Sequence, residues 1–475
     1  MTATDILCLV PVLPLAVGPL IIMIMVAIKR NYELTYGITL LALLLGFAFI
    51  FYTIPFVPHS IGPLFVIDHF SLFFLGIIIL SALLIVLISY GFIKKLSGFK
   101  EEYYIILLTA TLGAALLAMA NDFVSFFLGL ETLSISLYVL ISFQKRKRLS
   151  VEAGVKYLIL AAASSAFLLF GMGLVYVRFG TMQFDQLAAQ LIYPVHLSPL
   201  LLLGFGMMLV GLGFKLALVP FHAWTPDVYQ GAPTPVSAYI ATVSKGGVMA
   251  VFIRFFFAVH GYQNHVFFII ISAIAILTML LGNFLAIRQK NLKRLLGYSS
   301  ITNMGFIIVI LLIGNKQGVQ ASIFYLLIYF ISTIGAFGVL SVLSTEDKMV
   351  ETMKDVKGLY WRKPWLAAAM TFSMLSLAGL PLTAGFIAKF YLIFEAVKAD
   401  ILFLVFVMLA SSIISLYYYL RVVTAMFSKT GEEEKTYPAL SFSGGLALSF
   451  ISVVILFLGV YPGWLIEMLI KFVGL

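Results

Sequence analysis

Residues 213–247 read GFKLALVPFHAWTPDVYQGAPTPVSAYIATVSKGG, placing two lysines, Lys215 and Lys245, among apolar side chains interrupted by Pro220, Pro233 and Pro235. Each lysine lies well inside an apolar run that extends outward from this stretch, to roughly 197 on one side and 258 on the other, and each run can cross about 30 Å of hydrocarbon. An ionisable side chain at that depth costs several kcal/mol unless it is paired, hydrated or able to give up its charge, and by default it marks an ion or proton pathway. Glu131 and Lys389 occupy comparable positions elsewhere in the chain.

The composition agrees with a bilayer. Hydrophobic residues make up 62% and charged residues 11%, and the mean hydropathy is +1.11, more apolar surface than a soluble core requires. The formal charge of +10 does not point to nucleic acid, because Lys and Arg gather in short loops between apolar spans, where they orient the chain. The single cysteine, Cys8, excludes an internal disulfide, a Cys-rich zinc site and a self-contained iron–sulfur cluster. The histidines show no metal-ligand spacing and no Gly-rich phosphate loop follows a strand-like run. No metal, redox or nucleotide cofactor is therefore expected in this chain. The apolar start, from about Ile6 to Ile28, lacks a basic region before it and a small-residue cleavage site after it, so it reads as a first span.

Apolar runs of roughly 18 to 26 residues give an all-α polytopic membrane protein with about 14 transmembrane helices, at 5–28, 33–54, 70–93, 103–120, 122–142, 153–178, 197–218 continuing to 231, 234–258, 266–287, 294–314, 318–343, 364–398, 402–426 and 441–470. Loops after odd spans hold Lys29, Arg30, Lys94, Lys95, Lys100, Lys145 to Arg148, Arg288, Lys290, Lys293, Arg294, Lys348 to Lys363, Lys429 and Lys435. The other side holds Arg178, Lys316, Lys398 and Lys471, so about 20 basic residues face about 4, and the richer side reads as cytoplasmic. An even number of spans then puts both termini on the non-cytoplasmic side.

Three places interrupt the helical pattern: Pro220, the pair Pro233 and Pro235, and Pro381 with Gly379 and Gly385. Irregular backbone at membrane depth persists only where it is buried in protein or lines a wet cavity. Two breaks lie close to Lys215 and Lys389, one in each half of the chain, which suggests a repeated architecture with paired discontinuous helices.

The strings LGLETLSISLYVL (128–140), SVEAGVKYLILAAASSAFLLFG (150–171), the quoted stretch at 213–247, KRLLGYSSITNMGF (293–306) and AGLPLTAGFIAKFYL (378–392) resemble, in this order and spacing, the antiporter-like membrane subunits of respiratory complex I. The resemblance covers about residues 60–425 and is closest to the N type of the bacterial NADH-quinone oxidoreductase. Lys389 stands where the M type is expected to carry a glutamate, and the long lateral helix of the L type is absent. The resemblance implies a proton-translocating subunit with two inverted five-helix repeats. It divides the chain into N-terminal helices (1–100), a first repeat (101–260), a second repeat (261–428) and a C-terminal helix (429–475). By the matching motifs, Glu131, Lys215, Lys245, Lys389 and His222 are the implied proton-relay residues. Also implied are the M-type subunit and small membrane subunits as partners, a prokaryotic inner (plasma) membrane location, and NADH, flavin, iron–sulfur clusters and quinone held by those partners. A donor other than NADH is equally compatible with this subunit.

The residue chemistry fits those roles. A buried lysine loses the solvation of its charged form and a nearby carboxylate restores it, so Glu131 could switch Lys215. An ammonium donates and a neutral amine accepts, so Lys215, Lys245 and Lys389 joined by water could pass a proton along the membrane plane. Structural alternatives stand beside these: an ion pair tying Glu131 to Lys215, a snorkelling Lys389, and a satisfied structural His222. Lys156 reads as an i,i+4 partner of Glu152, Asp68 as a helix cap, Arg254 and Arg421 as helix-end cations, and the Gly and Ser clusters at 161–165 and 204–213 as close-packing devices. Tyr298, Ser299, Ser300, Thr302 and Asn303 form a polar stripe able to hold water, and most Tyr and Phe residues are expected to face lipid or the interface. Two other function classes remain open, a subunit of a multi-subunit cation/proton antiporter and a non-conducting scaffold. The scarcity of intramembrane carboxylates argues against a sodium site.

Overall fold

A computed structural model describes residues 2–191, 198–346, 348–429 and 437–472. Lys435 and part of the 180–196 loop fall outside the described residues. Among the described residues twelve helices are long and apolar enough to cross a membrane, and the pair Ala3–Leu9 and Leu13–Ile28, bent by 72°, makes a thirteenth if counted as one span. The remaining expected span, 364–398, consists of Pro364–Ala378 and Ala384–Lys398, each of 15 residues. Each half is shorter than a bilayer needs.

The helices begin where a short polar side chain can satisfy free N–H groups that lipid would leave unpaired. Asn31, Asp68, Asp122, Asn264, Asn291, Asn315 and Ser441 each accept from the first turn of a long helix. Asp68 does more than cap. Burial raises its carboxyl, but the paired Arg254, at 2.8 Å, more than offsets this and holds it below the usual carboxylate range. A short antiparallel hairpin, His59–Ile61 with Phe65–Ile67, precedes it in a segment that the all-helical reading left unassigned.

Burial is graded from the centre outward. The Thr234–Ala258 span is 100% buried, whereas the His265–Ile287 span is only 28% buried and presents the rest of its surface outward. Leu292–Ile313 and Lys316–Leu343 are nearly as enclosed as Thr234–Ala258. A helix that is apolar all round belongs in the core of a bundle, and these three form that core. Small residues let backbones touch: a Cβ on Gly171 would stand 2.6 Å from the Gly204 carbonyl oxygen, so the Arg148–Phe179 and Pro199–Leu216 helices pack at glycine distance.

Not every aromatic residue faces lipid or the interface. Tyr103, Tyr104, Tyr157, Tyr229, Tyr239, Tyr418 and Tyr419 are among the largest fully buried side chains. Tyr104, Tyr229, Tyr239, Tyr418 and Tyr419 have hydroxyl partners built in; Tyr418, for example, donates to Asn283 Oδ1 at 3.1 Å.

Candidate functional site

Lys215, Lys245 and Lys389 each lie beside an irregular piece of helix. Lys215 is in the last turn of Pro199–Leu216, which stops at Ala217 in a left-handed conformation (φ +61°). Lys245 follows a π-helical stretch, Ile240–Ser244, that widens an otherwise continuous span, a feature frequent at functional sites. Lys389 reaches back across the 379–383 break and donates to the carbonyl of Ala378 at 3.0 Å. That carbonyl belongs to the final turn of a half-helix, where the helix dipole favours a cation.

At the first station, Lys215 Nζ donates to Ser134 Oγ at 2.6 Å, and Ser165 Oγ donates to Glu131 Oε1 at 2.6 Å. Glu131 and Ser134 are three residues apart on the Phe123–Ile141 helix and so share a face. Among the described residues no ion pair joins Glu131 to Lys215, so they do not form the structural clasp that sequence left open. Aromatic side chains separate this station from the next: Tyr157 lies 5.4 Å from Lys215 Nζ and 4.9 Å from Trp224, which in turn packs 6.4 Å from Tyr229.

The second and third stations are more closely joined. Lys245, wholly buried, donates to Ser300 Oγ at 2.6 Å. Tyr329 donates to the same oxygen at 2.6 Å, and Tyr229 OH lies 3.3 Å from it. Tyr329 also lines, with Asn303, Tyr325, Ser332, Ser376 and Lys389, a cavity of about 10 Å³, roughly the space of one water. Lys389 is 7% exposed, which rules out snorkelling. The polar stripe on Leu292–Ile308 thus meets hydroxyls from Lys316–Leu343, with Tyr325 donating to Asn303 Oδ1 at 2.6 Å.

His222 stands apart from these stations. It is half-buried on the 217–223 connection. Lys156 bonds Glu152 at 2.8 Å, as its spacing implies, and also Asp227 at 3.1 Å. Arg421 donates to the Ile287 carbonyl at 2.7 Å.

Sequence reasoning missed Lys293, placed with the basic loop residues but fully buried. Its ammonium holds the carbonyls of Gln230 at 2.8 Å and Ala232 at 2.6 Å, and Glu351 at 3.4 Å. Next to it Arg294 bonds Asp227 at 2.6 Å. Together they tie the Trp224–Gly231 helix to the start of the polar-stripe helix. Partial burial raises the Asp227 carboxyl, and Arg294 and Lys156 outweigh this and hold it below its ordinary range.

Among the described residues no cluster of His, Cys, Asp and Glu is arranged to hold a metal ion. What the site can do is exchange protons between amines, hydroxyls and one carboxylate inside a low-dielectric bundle.

Residues 120–415 match the family model described as NADH:quinone oxidoreductase/Mrp antiporter, transmembrane. The chain is 40% identical over 471 residues to NADH-quinone oxidoreductase subunit N of Methylococcus capsulatus, covering 98% of this chain and 95% of that one. A chain of respiratory complex I from Thermus thermophilus, solved with bound aureothin, superposes with a TM-score of 0.83 at 34% identity, covering 97% of this chain and 99% of that one. A chain of the Mrp complex from Dietzia sp. DQ12-45-1b shares the fold, with a TM-score of 0.86 at 22% identity over 100% of this chain and 97% of that one. With helices, broken spans and buried lysines all in the expected order, the chain belongs to the NADH:quinone oxidoreductase/Mrp antiporter membrane family and, within it, to the subunit N branch.

Proposed function

We propose that this chain is a proton-translocating membrane-arm subunit of a complex I-type NADH-quinone oxidoreductase, moving protons through Glu131, Lys215, Lys245 and Lys389 while redox chemistry proceeds in other subunits. The observation that carries this reading is the burial of Lys215, Lys245 and Lys389, each at a helix irregularity and none, among the described residues, in a direct ion pair with an acid. Buried charges kept only for structure are normally paired. Kinship with subunit N supports this reading, in which the M-type and small membrane subunits are the neighbours and NADH, flavin, iron–sulfur clusters and quinone are held outside this chain.

Residues 101–260 and 261–428 act as two repeats that open to opposite faces, each with its own broken helix, flanked by helices 1–100 and 429–475. The membrane is the prokaryotic inner (plasma) membrane, with the basic loops cytoplasmic and both termini on the far side. His222, on the 217–223 connection that follows Lys215 in sequence, belongs to this reading as an accessory proton carrier outside the three stations.

The test is proton movement per electron in vesicles for Lys245→Ala and Lys215→Ala, at assembly levels matched to the unmodified complex. Loss of pumping with intact assembly supports the relay. Unchanged pumping in both variants leaves the scaffold reading, and co-purification with antiporter subunits in place of redox subunits leaves the antiporter one.

A further inference from the structure

Ser300 lies where side chains from three other helices converge. Lys245 and Tyr329 each donate to its Oγ at 2.6 Å, and Tyr229 OH stands 3.3 Å away. A hydroxyl oxygen offers two acceptor positions and one donor, so the Ser300 proton is left to point at Tyr229. Tyr329 meanwhile borders the one-water cavity that contains the Lys389 side chain. Apolar residues would fill such a site without any need for partners, whereas each hydroxyl placed there must be satisfied. Packing gives no reason for them.

We propose that Ser300 and Tyr329 form the proton bridge from Lys245 to Lys389, with one cavity water as the remaining link; this rests on the proton-translocating reading above. As the side chains stand, Tyr329 donates toward Ser300 and the bridge is closed. It opens when the Tyr329 hydroxyl turns to the cavity and Ser300 donates to Tyr329 instead. A proton then leaves Lys245 Nζ for Ser300 Oγ, the Ser300 proton passes to the Tyr329 oxygen, the Tyr329 proton to the water, and a water proton to the neutral amine of Lys389. One N–H bond breaks at Lys245 and one forms at Lys389. Each hydroxyl and the water keep their original proton count, and no electron moves.

The test uses the whole complex in membrane vesicles and reads quinone reduction, protons moved per electron and the solvent deuterium isotope effect. Tyr329→Phe and Ser300→Ala should slow coupled turnover about a hundredfold, the low end of what a positioned proton-transfer group contributes. Their residual turnover should show a larger isotope effect, because proton transfer becomes the slow step. Tyr418→Phe removes an equally buried hydroxyl whose partner is Asn283, and it should pump normally. Equal losses in Tyr418→Phe, or normal pumping in both Tyr329→Phe and Ser300→Ala while Lys389→Ala fails, overturn the bridge and leave the wider reading standing. Normal pumping by Lys389→Ala as well would remove that reading itself.

Discussion

Lys389 Nζ donates to the main-chain carbonyl of Ala378 at 3.0 Å, joining two half-helices across eleven residues of sequence. The ammonium is thereby held at the negative end of the first half-helix, beside the small cavity. Two roles fit that position, a fixed cation that caps the helix and a proton carrier, and arginine distinguishes them. A guanidinium can cap but does not release a proton in proteins. Lys389→Arg should therefore fail about as badly as Lys389→Ala when pumping per electron is compared at equal assembly. Normal pumping by the arginine variant would reduce Lys389 to a cap.

The same contact makes Gly379 sensitive. Its φ of +80° disfavours any side chain, and a Cβ there would stand 2.7 Å from Lys389 Cδ. Gly180 has a similar φ, +68°, with open space around it. Gly180→Ala should cost about 1 kcal/mol of stability from backbone strain alone. Gly379→Ala should cost more and also lower pumping, because Lys389 must give way. Equal melting shifts and equal activity in the two variants would show that the Lys389 contact is unimportant.

Lys293 supports the structure around the break after Gly231. Replacing it with methionine keeps the apolar stem but leaves the Gln230 and Ala232 carbonyls unpaired, at about 1–3 kcal/mol for a buried unsatisfied group. Lys293→Met should lower the thermal midpoint of the purified complex and release the 227–233 segment to faster hydrogen exchange. An unchanged exchange rate there would mean that other contacts hold the segment.

On the proposed orientation, residues 145–148 face the cytoplasm and residues 184–190 the opposite side. Single cysteines at positions 147 and 188, in a Cys8→Ser background, should react with an impermeant reagent from opposite sides of sealed vesicles. Labelling of both from one side would reject the assignment.

The features legible in the sequence were those that break a local pattern. Lys215, Lys245 and Lys389 stand out because each interrupts an apolar run, and the proline and glycine clusters near Lys215 and Lys389 announce real breaks. Pro233 and Pro235 mark a break too, between Trp224–Gly231 and Thr234–Tyr239, and a further irregularity lies one turn later at Ile240–Ser244, where no residue type signals a π turn. Lys293 was hidden because a basic cluster at a span boundary looks solvated whatever its depth. The Ser300 and Tyr329 contact joins residues 29 apart on different helices, so only half of it, the stripe, has a local periodicity to read. Nor can spacing tell whether Glu131 touches Lys215, since helix rotation about each axis decides it.

That last separation sharpens what Glu131 should do. Its carboxylate accepts from Ser165 at 2.6 Å, while Lys215 is bonded to Ser134. Glu131→Gln keeps an acceptor for Ser165 and nearly the same volume, and it removes only the charge. If Glu131 were a structural clasp, the glutamine variant would weaken assembly. If its charge tunes Lys215 through space, assembly should survive while pumping per electron drops, and Glu131→Asp, which retains the charge one methylene further back, should keep part of the activity. Ser134→Ala should impair pumping as well by removing the hydroxyl to which Lys215 donates. Blue-native gels report assembly and vesicle acidification reports pumping. Full pumping by Glu131→Gln in a normally assembled complex would exclude the carboxylate from the proton path.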